Sequence, residues 1–288
     1  MRQSVPLLRP LYEKRNSVIT TPEVQNDFWI RVFSNAPGEI DEYVMPSDAA
    51  VLGSALKNLT VERFEVDEKG QGEPRSLRFI FEFQSGDENP FFSNEKIVKD
   101  FYWRSQVTKS AKGKRRTWEG LVSEPVRINW KGDKDLTKGL LDAACDLAEA
   151  EKKQGGDRKK LPEFEKLVKK VSELEAAAIA AEEGDEDDED PESPVGASFF
   201  AFFGYRGRDV TAEQSKEATK EQAERWAKIA KGEAVDDEDE DDDDDDEDDD
   251  ADDLEDAEIF PDGEELAIAL AEDLWPNALK YYGWFSLP

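Results

Sequence analysis

An α+β fold, in which an antiparallel sheet is backed by helices, is what this sequence of 288 residues predicts. Three observations lead there. Between Leu59 and Trp130 several short segments alternate apolar and polar residues, the two-residue period of half-buried strands joined in an antiparallel meander. Before and after that stretch, apolar residues recur at helical spacing. Sixteen Phe and 7 Trp supply the bulky side chains of a sizeable core.

The elements follow in order. Thr21-Pro22 is a helix start, Thr as cap and Pro in the first turn, and the helix runs to Pro37-Gly38 with Phe28, Trp29, Val32 and Phe33 as its buried stripe. Ser47-Asp48 opens a second short helix that ends near Leu56. Strands are expected from Leu59 (LTVERFEV), Leu77 (LRFIFEF), Ile97 (IVKDFYW) and Val126 (VRINW), the last two separated by the basic loop KSAKGKRR. In the second strand Leu77, Phe79, Phe81 and Phe83 share a face. Helix returns at Asp135, breaks at Gly155-Gly156, and resumes at Pro162 with Phe164, Leu167, Val168, Val171, Leu174 and Ala178 on one side. SFFAFFGY from Ser198 is too aromatic to face water and must join the core. Thr211 and Gln214 form a capping box for a helix that ends at Gly232, and core composition returns after Ile259.

Charge narrows the function. The chain has 38 Lys and Arg against 70 Asp and Glu, a net charge of -32. Asp236 to Glu258 holds 20 acidic residues and Glu182 to Glu192 another 9, so removing both runs leaves about -3 on an ordinary globular remainder. Nucleic acid is therefore not the expected direct ligand, since phosphates would be repelled. There is no His and a single Cys145, which excludes an internal disulfide, Cys/His zinc sites and His-based acid–base chemistry. No phosphate-cradling Gly loop or nucleophile motif occurs, so neither an enzyme nor a cofactor is expected. No apolar run is long enough for a bilayer or a signal peptide, which implies the nucleus, with the cytoplasm as a further residence.

Several clusters have two readings. The long acidic run lacks the alternating ligands and turn Gly of a calcium loop, so no metal site is expected there. It is a solvated, disordered linker whose charge density also makes it a lure for basic proteins. Lys112, Lys114, Arg115 and Arg116 are a charged hairpin tip or a nuclear import signal, and the sequence leaves that open. Trp103, Trp118 and Trp130 fit core packing better than a stacking platform.

Taken in order, LRPLYEKRNSVI with NDFWIRVFSNAP, ENPFF from Glu88, INWKGDKDLTK from Ile128, SFFAFFGY from Ser198 and DLWPNALKYY from Asp273 resemble the nucleosome assembly protein (NAP) family, most closely its SET (template-activating factor) branch. The resemblance implies an "earmuff" domain, an antiparallel sheet backed by helices and joined to a long N-terminal dimerisation helix. Residues 1–20 are then a remnant of that helix and its junction, 21–139 the first part of the core, and 140–193 inserted helices with the first acidic run. Residues 194–206 are a core segment, 207–234 an inserted helix, 235–258 the disordered acidic run and 259–288 the closing core helix. Family members form homodimers through the long helix; with that helix largely missing, monomeric behaviour is expected here.

By resemblance the function is histone chaperoning, with core histones as partners and a serine/threonine phosphatase as a second candidate partner. Glu264 and Glu265, with Glu272 and Asp273, match the family's histone-facing underside, and Asp236, Asp237 and Glu238 open the disordered lure. Two polar family positions nearby are Ala201 and Gly204 here. The competing account of Glu264 and Glu265 is that they only complement the positive end of a helix dipole. The competing account of the whole chain is an acidic scaffold or import adaptor for other basic proteins.

Overall fold

A computed structural model of the chain describes residues 1–109, 115–155, 157–182, 198–232 and 257–283. Helices α1 (Ser4–Ile19), α2 (Pro22–Ser34), α3 (Gly38–Asp41) and α4 (Pro46–Ala55) come first. A four-stranded antiparallel sheet follows, β1 (Leu56–Glu62), β2 (Leu77–Phe83), β3 (Lys96–Lys109) and β4 (Arg115–Ser123), ordered as in the chain. Then come α5 (Leu140–Gln154), α6 (Pro162–Glu182), a 3-10 segment (Phe199–Gly204), α7 (Ala212–Ala230), α8 (Gly263–Ala269), a π-turn (Leu270–Leu274) and α9 (Ala278–Gly283). The predicted α+β class, an antiparallel sheet backed by helices, is what the chain adopts.

The alternation of β2 sets the inner face of the sheet. Phe79 and Phe81 are fully buried, with Phe101 beside them on β3. The 3-10 segment brings a second aromatic layer onto this face: Phe202 stacks on Phe101 at 5.1 Å, and Phe203 meets Phe81 edge-on at 5.2 Å. Burying a Phe contributes about 1.5–3 kcal/mol, and aromatic pairs somewhat more, so this double layer is the chief apolar anchor of the fold. Asp48 ties α4 to it, its buried carboxylate accepting from the Ser198 hydroxyl, the Phe199 N–H (2.7 Å) and the Met45 N–H (3.1 Å). Lys99 ties the sheet to it from below. Fully buried, its ammonium donates to the carbonyls of Glu124 (2.7 Å), Phe203 (3.0 Å) and Tyr205 (3.1 Å). Burial holds its pKa well below the ordinary lysine value.

The closing segment completes the core. The Trp275 indole donates to the Leu59 carbonyl at 3.0 Å, and Arg15 from α1 lies over the Trp275 ring and donates to that residue's carbonyl. Buried residues from Ile19 to Tyr281 form one continuous cluster.

Four expectations need correcting. The fourth strand is Arg115–Ser123, while Val126–Trp130 makes an isolated bridge from Trp130 to Phe92, a hydrogen bond from Val126 N–H to Phe203 and hydrogen bonds to Ser93 and Asn94, without forming a strand. Strand β4 pairs with β3 along its whole length, from Phe101↔Ser123 to Lys109↔Arg115, so Lys109, Arg115 and Arg116 of the basic segment are strand residues. Helix α5 begins at Leu140, not Asp135: the Asp135 carboxylate accepts from the Thr137 and Gly139 N–H groups, and Lys138 and Gly139 take positive φ, which holds a turn there. Strand β1 starts at Leu56 and stops at Glu62, and Val66 only bridges to Gly72. Trp103 and Trp130 pack against the core, but Trp118 stands outside it, its ring under the Arg208 guanidinium. The expected disorder of 235–258 falls, but for the last two residues, outside the described residues, as do Lys112 and Lys114. Among the described residues no helix is long and apolar enough to cross a membrane.

Candidate functional site

Helix α8 is seated on the open edge of the sheet by a glycine. A Cβ on Gly263 would lie 2.3 Å from the Tyr205 ring, so only Gly lets this helix start so close. Tyr205 in turn donates its hydroxyl to the Leu121 carbonyl on β4 at 3.1 Å. The result is that Glu264 and Glu265, consecutive in sequence, meet different surroundings. Glu264 is half-buried against β4 and accepts the Leu121 N–H, an edge donor that no fifth strand satisfies. Burial first, then the charge of Glu265, raises its pKa above the usual carboxylate value. Glu265 is exposed.

Around them gather acids that sequence reasoning did not single out. Tyr43, following α3, packs on Phe260 with ring centroids 5.4 Å apart. Its pKa is pushed up to about 12, by burial first and then by the charges of Asp262, Glu42 and Glu265. Tyr205 is raised likewise by burial, then by Glu264 and Glu258. Glu42, Asp262 and Glu265 thus gather about Tyr43 and Glu264 about Tyr205, and the neighbours Glu264 and Glu265 join the two into one carboxylate patch. Some acids elsewhere on the molecule are matched, Asp100 with Arg78 at 2.7 Å, and Asp142, Asp146 and Glu149 all with Arg127. No ion pair among the described residues involves any of the four patch acids. Nor does any group of three or more Asp, Glu or Cys among the described residues stand in metal-holding geometry. What this arrangement offers is unneutralised negative charge on a rigid base, suited to an extended basic partner.

The other two acids of the closing segment stand apart. Glu272 pairs with Arg63, just past the end of β1, at 3.1 Å and lines a groove of about 760 Å³ between α1 and the sheet, which neither Glu264 nor Glu265 touches. Asp273 accepts from the Asn277 amide (2.7 Å) and the Tyr281 hydroxyl (2.9 Å), which holds the turn into α9. Asp236, Asp237 and Glu238 lie outside the described residues. Of the basic cluster, Arg115 and Arg116 are strand residues opposite Lys109 and Thr108, and Arg115 pairs with Glu221 of α7 at 3.2 Å. Ala201 and Gly204 are buried; a Cβ on Gly204 would meet Ile259 at 2.4 Å, so packing fixes that position. Asp262 could have been found in the sequence as part of the run Asp262-Gly263-Glu264-Glu265. Glu42 carries no local signal, because only the fold brings α3 against α8.

Comparisons with known proteins agree with this architecture. The family model for nucleosome assembly protein (NAP) matches residues 4–283. Over 138 residues the chain is 30% identical to a putative nucleosome assembly protein of Schizosaccharomyces pombe, covering 47% of this chain and 52% of that one. It is 33% identical to Protein SET of Drosophila melanogaster, again over 138 residues, with 47% and 43% covered. These alignments span about half the length of the relatives. Among solved structures, the crystal structure of Ccp1 superposes with a TM-score of 0.52 at 24% identity, covering 99% of this chain and 86% of that one, a likeness of fold.

Proposed function

Because the chain belongs to the nucleosome assembly protein family, we propose that it is a histone chaperone, a non-catalytic acidic protein of the nucleus that holds core histones and releases them to DNA. The observation that carries this reading is the unpaired carboxylate patch of Glu42, Asp262, Glu264 and Glu265. Histones present dense positive charge where DNA binds them, and a surface of fixed, unneutralised carboxylates competes for that charge. Each exposed ion pair contributes only about 0–1 kcal/mol. Affinity therefore comes from many contacts, and DNA displaces the chaperone where it offers more of them. The run Asp236–Glu258 adds capture of basic tails through charge alone.

The test is titration of labelled core histones with the wild-type chain and with a Glu42→Gln, Asp262→Asn, Glu265→Gln variant, which leaves Glu264 in its contact with β4. Loss of three exposed charges should weaken binding by about tenfold, with the melting temperature unchanged. Equal affinity in the two proteins would remove the patch from the binding surface. Equal binding of ribosomal proteins and histones would favour the basic-cargo adaptor instead.

A further inference from the structure

On the opposite charge balance to this patch, a pocket of about 190 Å³ opens between the outer face of the β3–β4 hairpin, the 3-10 turn Arg158–Lys160 and the segment that leads into α7. Four arginines line it: Arg104 from β3, Arg158 from the turn, and Arg206 and Arg208 from the segment. Among the described residues their carboxylate partners do not balance them. Arg206 and Arg158, each 8% exposed, both lean on the single carboxylate of Glu151, Arg206 at 2.6 Å. Glu124 is 4.0 Å from Arg206 and is shared with Lys152 at 3.3 Å. Arg206 Nη1 is buried and has no hydrogen-bond partner among the described residues. Arg104 donates to the Trp103 carbonyl and lies over the Tyr102 ring, and Arg208 lies over Trp118. Neither makes an ion pair with a described residue. Asp209, at the rim, is exposed.

We propose that this pocket binds a tetrahedral oxyanion, the phosphoryl group of a small phosphate compound. Three features set the class. Guanidinium groups reaching in from three separate elements suit an ion with several oxygens, since each fork can take two of them. Ala212, the first residue of the 19-residue helix α7, also lines the pocket, so the positive end of that helix adds to the arginines. The volume holds about six waters at ~30 Å³ each and is below the roughly 300 Å³ of drug-sized sites. That is room for one phosphoryl group with a few bound waters. A nucleic acid is disfavoured by the net charge of the chain. Histones, being basic, have no use for this pocket, so the site is independent of the proposed chaperone surface. Occupied, it would tie β3, the turn after α5 and α7 together.

Isothermal titration of the full chain with inorganic phosphate at fixed ionic strength, beside an acetate titration, tests the assignment. Phosphate should bind saturably, and an Arg104→Gln, Arg208→Gln variant should bind it about tenfold more weakly with an unchanged melting temperature in its absence. Arg208→Lys, which keeps the charge and loses the fork, should also weaken binding while leaving the fold intact. The proposal is overturned by the absence of saturable heat at about 10 mM phosphate, by undiminished binding in the variants, or by equal binding of acetate.

Discussion

Burial and charge pull against each other at Glu264, and the direction of that conflict separates two accounts of the residue. If it served only the helix dipole, its ionised form would be favoured and Glu264→Gln would destabilise the fold. Instead its folded-state pKa is raised, by burial first and by Glu265 second. A raised carboxyl pKa means the folded state binds the proton more tightly than the unfolded state, so stability is greatest below the unfolded value and declines as pH rises through the folded one. Glu264→Gln, whose amide oxygen still accepts the Leu121 N–H, should therefore melt at or slightly above the wild-type temperature at neutral pH. The difference should shrink as the pH is lowered through the folded pKa and vanish below the unfolded one. Melting curves across that range check it, and a variant that melts lower at neutral pH would return the residue to the dipole account. Glu264 and Glu265 were reached from sequence by resemblance alone. Their unlike burial was not, since it depends on Tyr205 and β4, which lie far away along the chain.

Helix α7 stands alongside the part of β3 that extends past β2. There the Ser105 N–H, with no neighbouring strand to receive it, donates to the Ser215 hydroxyl at 3.0 Å. The capping box of Thr211 and Gln214 starts the helix as its sequence predicts, each side chain taking the other's backbone N–H. Thr211→Ala should cost about 1 kcal/mol of helix stability, read as faster hydrogen exchange at the Ser105 amide while the Phe79 and Phe81 amides are unaffected. Unchanged exchange at Ser105 would mean that the cap does not control this contact. Legibility at this scale follows burial. Strand β2 was plain because its inner residues all enter the aromatic core. Strand β4 was hidden because Thr117 and Glu119 are exposed, Arg116 and Trp118 are only half-buried, and the strand is held by pairing with β3, which leaves no apolar alternation to read. The same absence made Val126–Trp130 look like the better strand.

Across the whole molecule the charge is divided between a nearly neutral domain and two acidic runs. The run Asp236–Glu258 has 20 acidic residues in near-unbroken succession, a sequence pattern that offers nothing by which to distinguish one basic protein from another. Its deletion should weaken histone binding and flatten the dependence of affinity on salt, measured as binding against salt concentration. A changed ranking between histone pairs after deletion would show that the run reads more than charge. The domain class was legible because its apolar pattern is continuous with the core, whereas the arginine pocket was not, since its four residues come from three elements.

The bond from Trp275 to Leu59 and the stacking of Arg15 on Trp275 also have a consequence for biosynthesis. The aromatic face of β2 leaves the ribosome long before the segment that seals the domain against α1 and β1 has been made. Until that segment emerges, Phe-rich strands stand partly uncovered, the condition in which nascent chains stick to one another. The last thing translated before the seal is the stretch of 20 acidic residues. Neighbouring half-made chains on one messenger would repel each other through it at the very moment they are most adhesive.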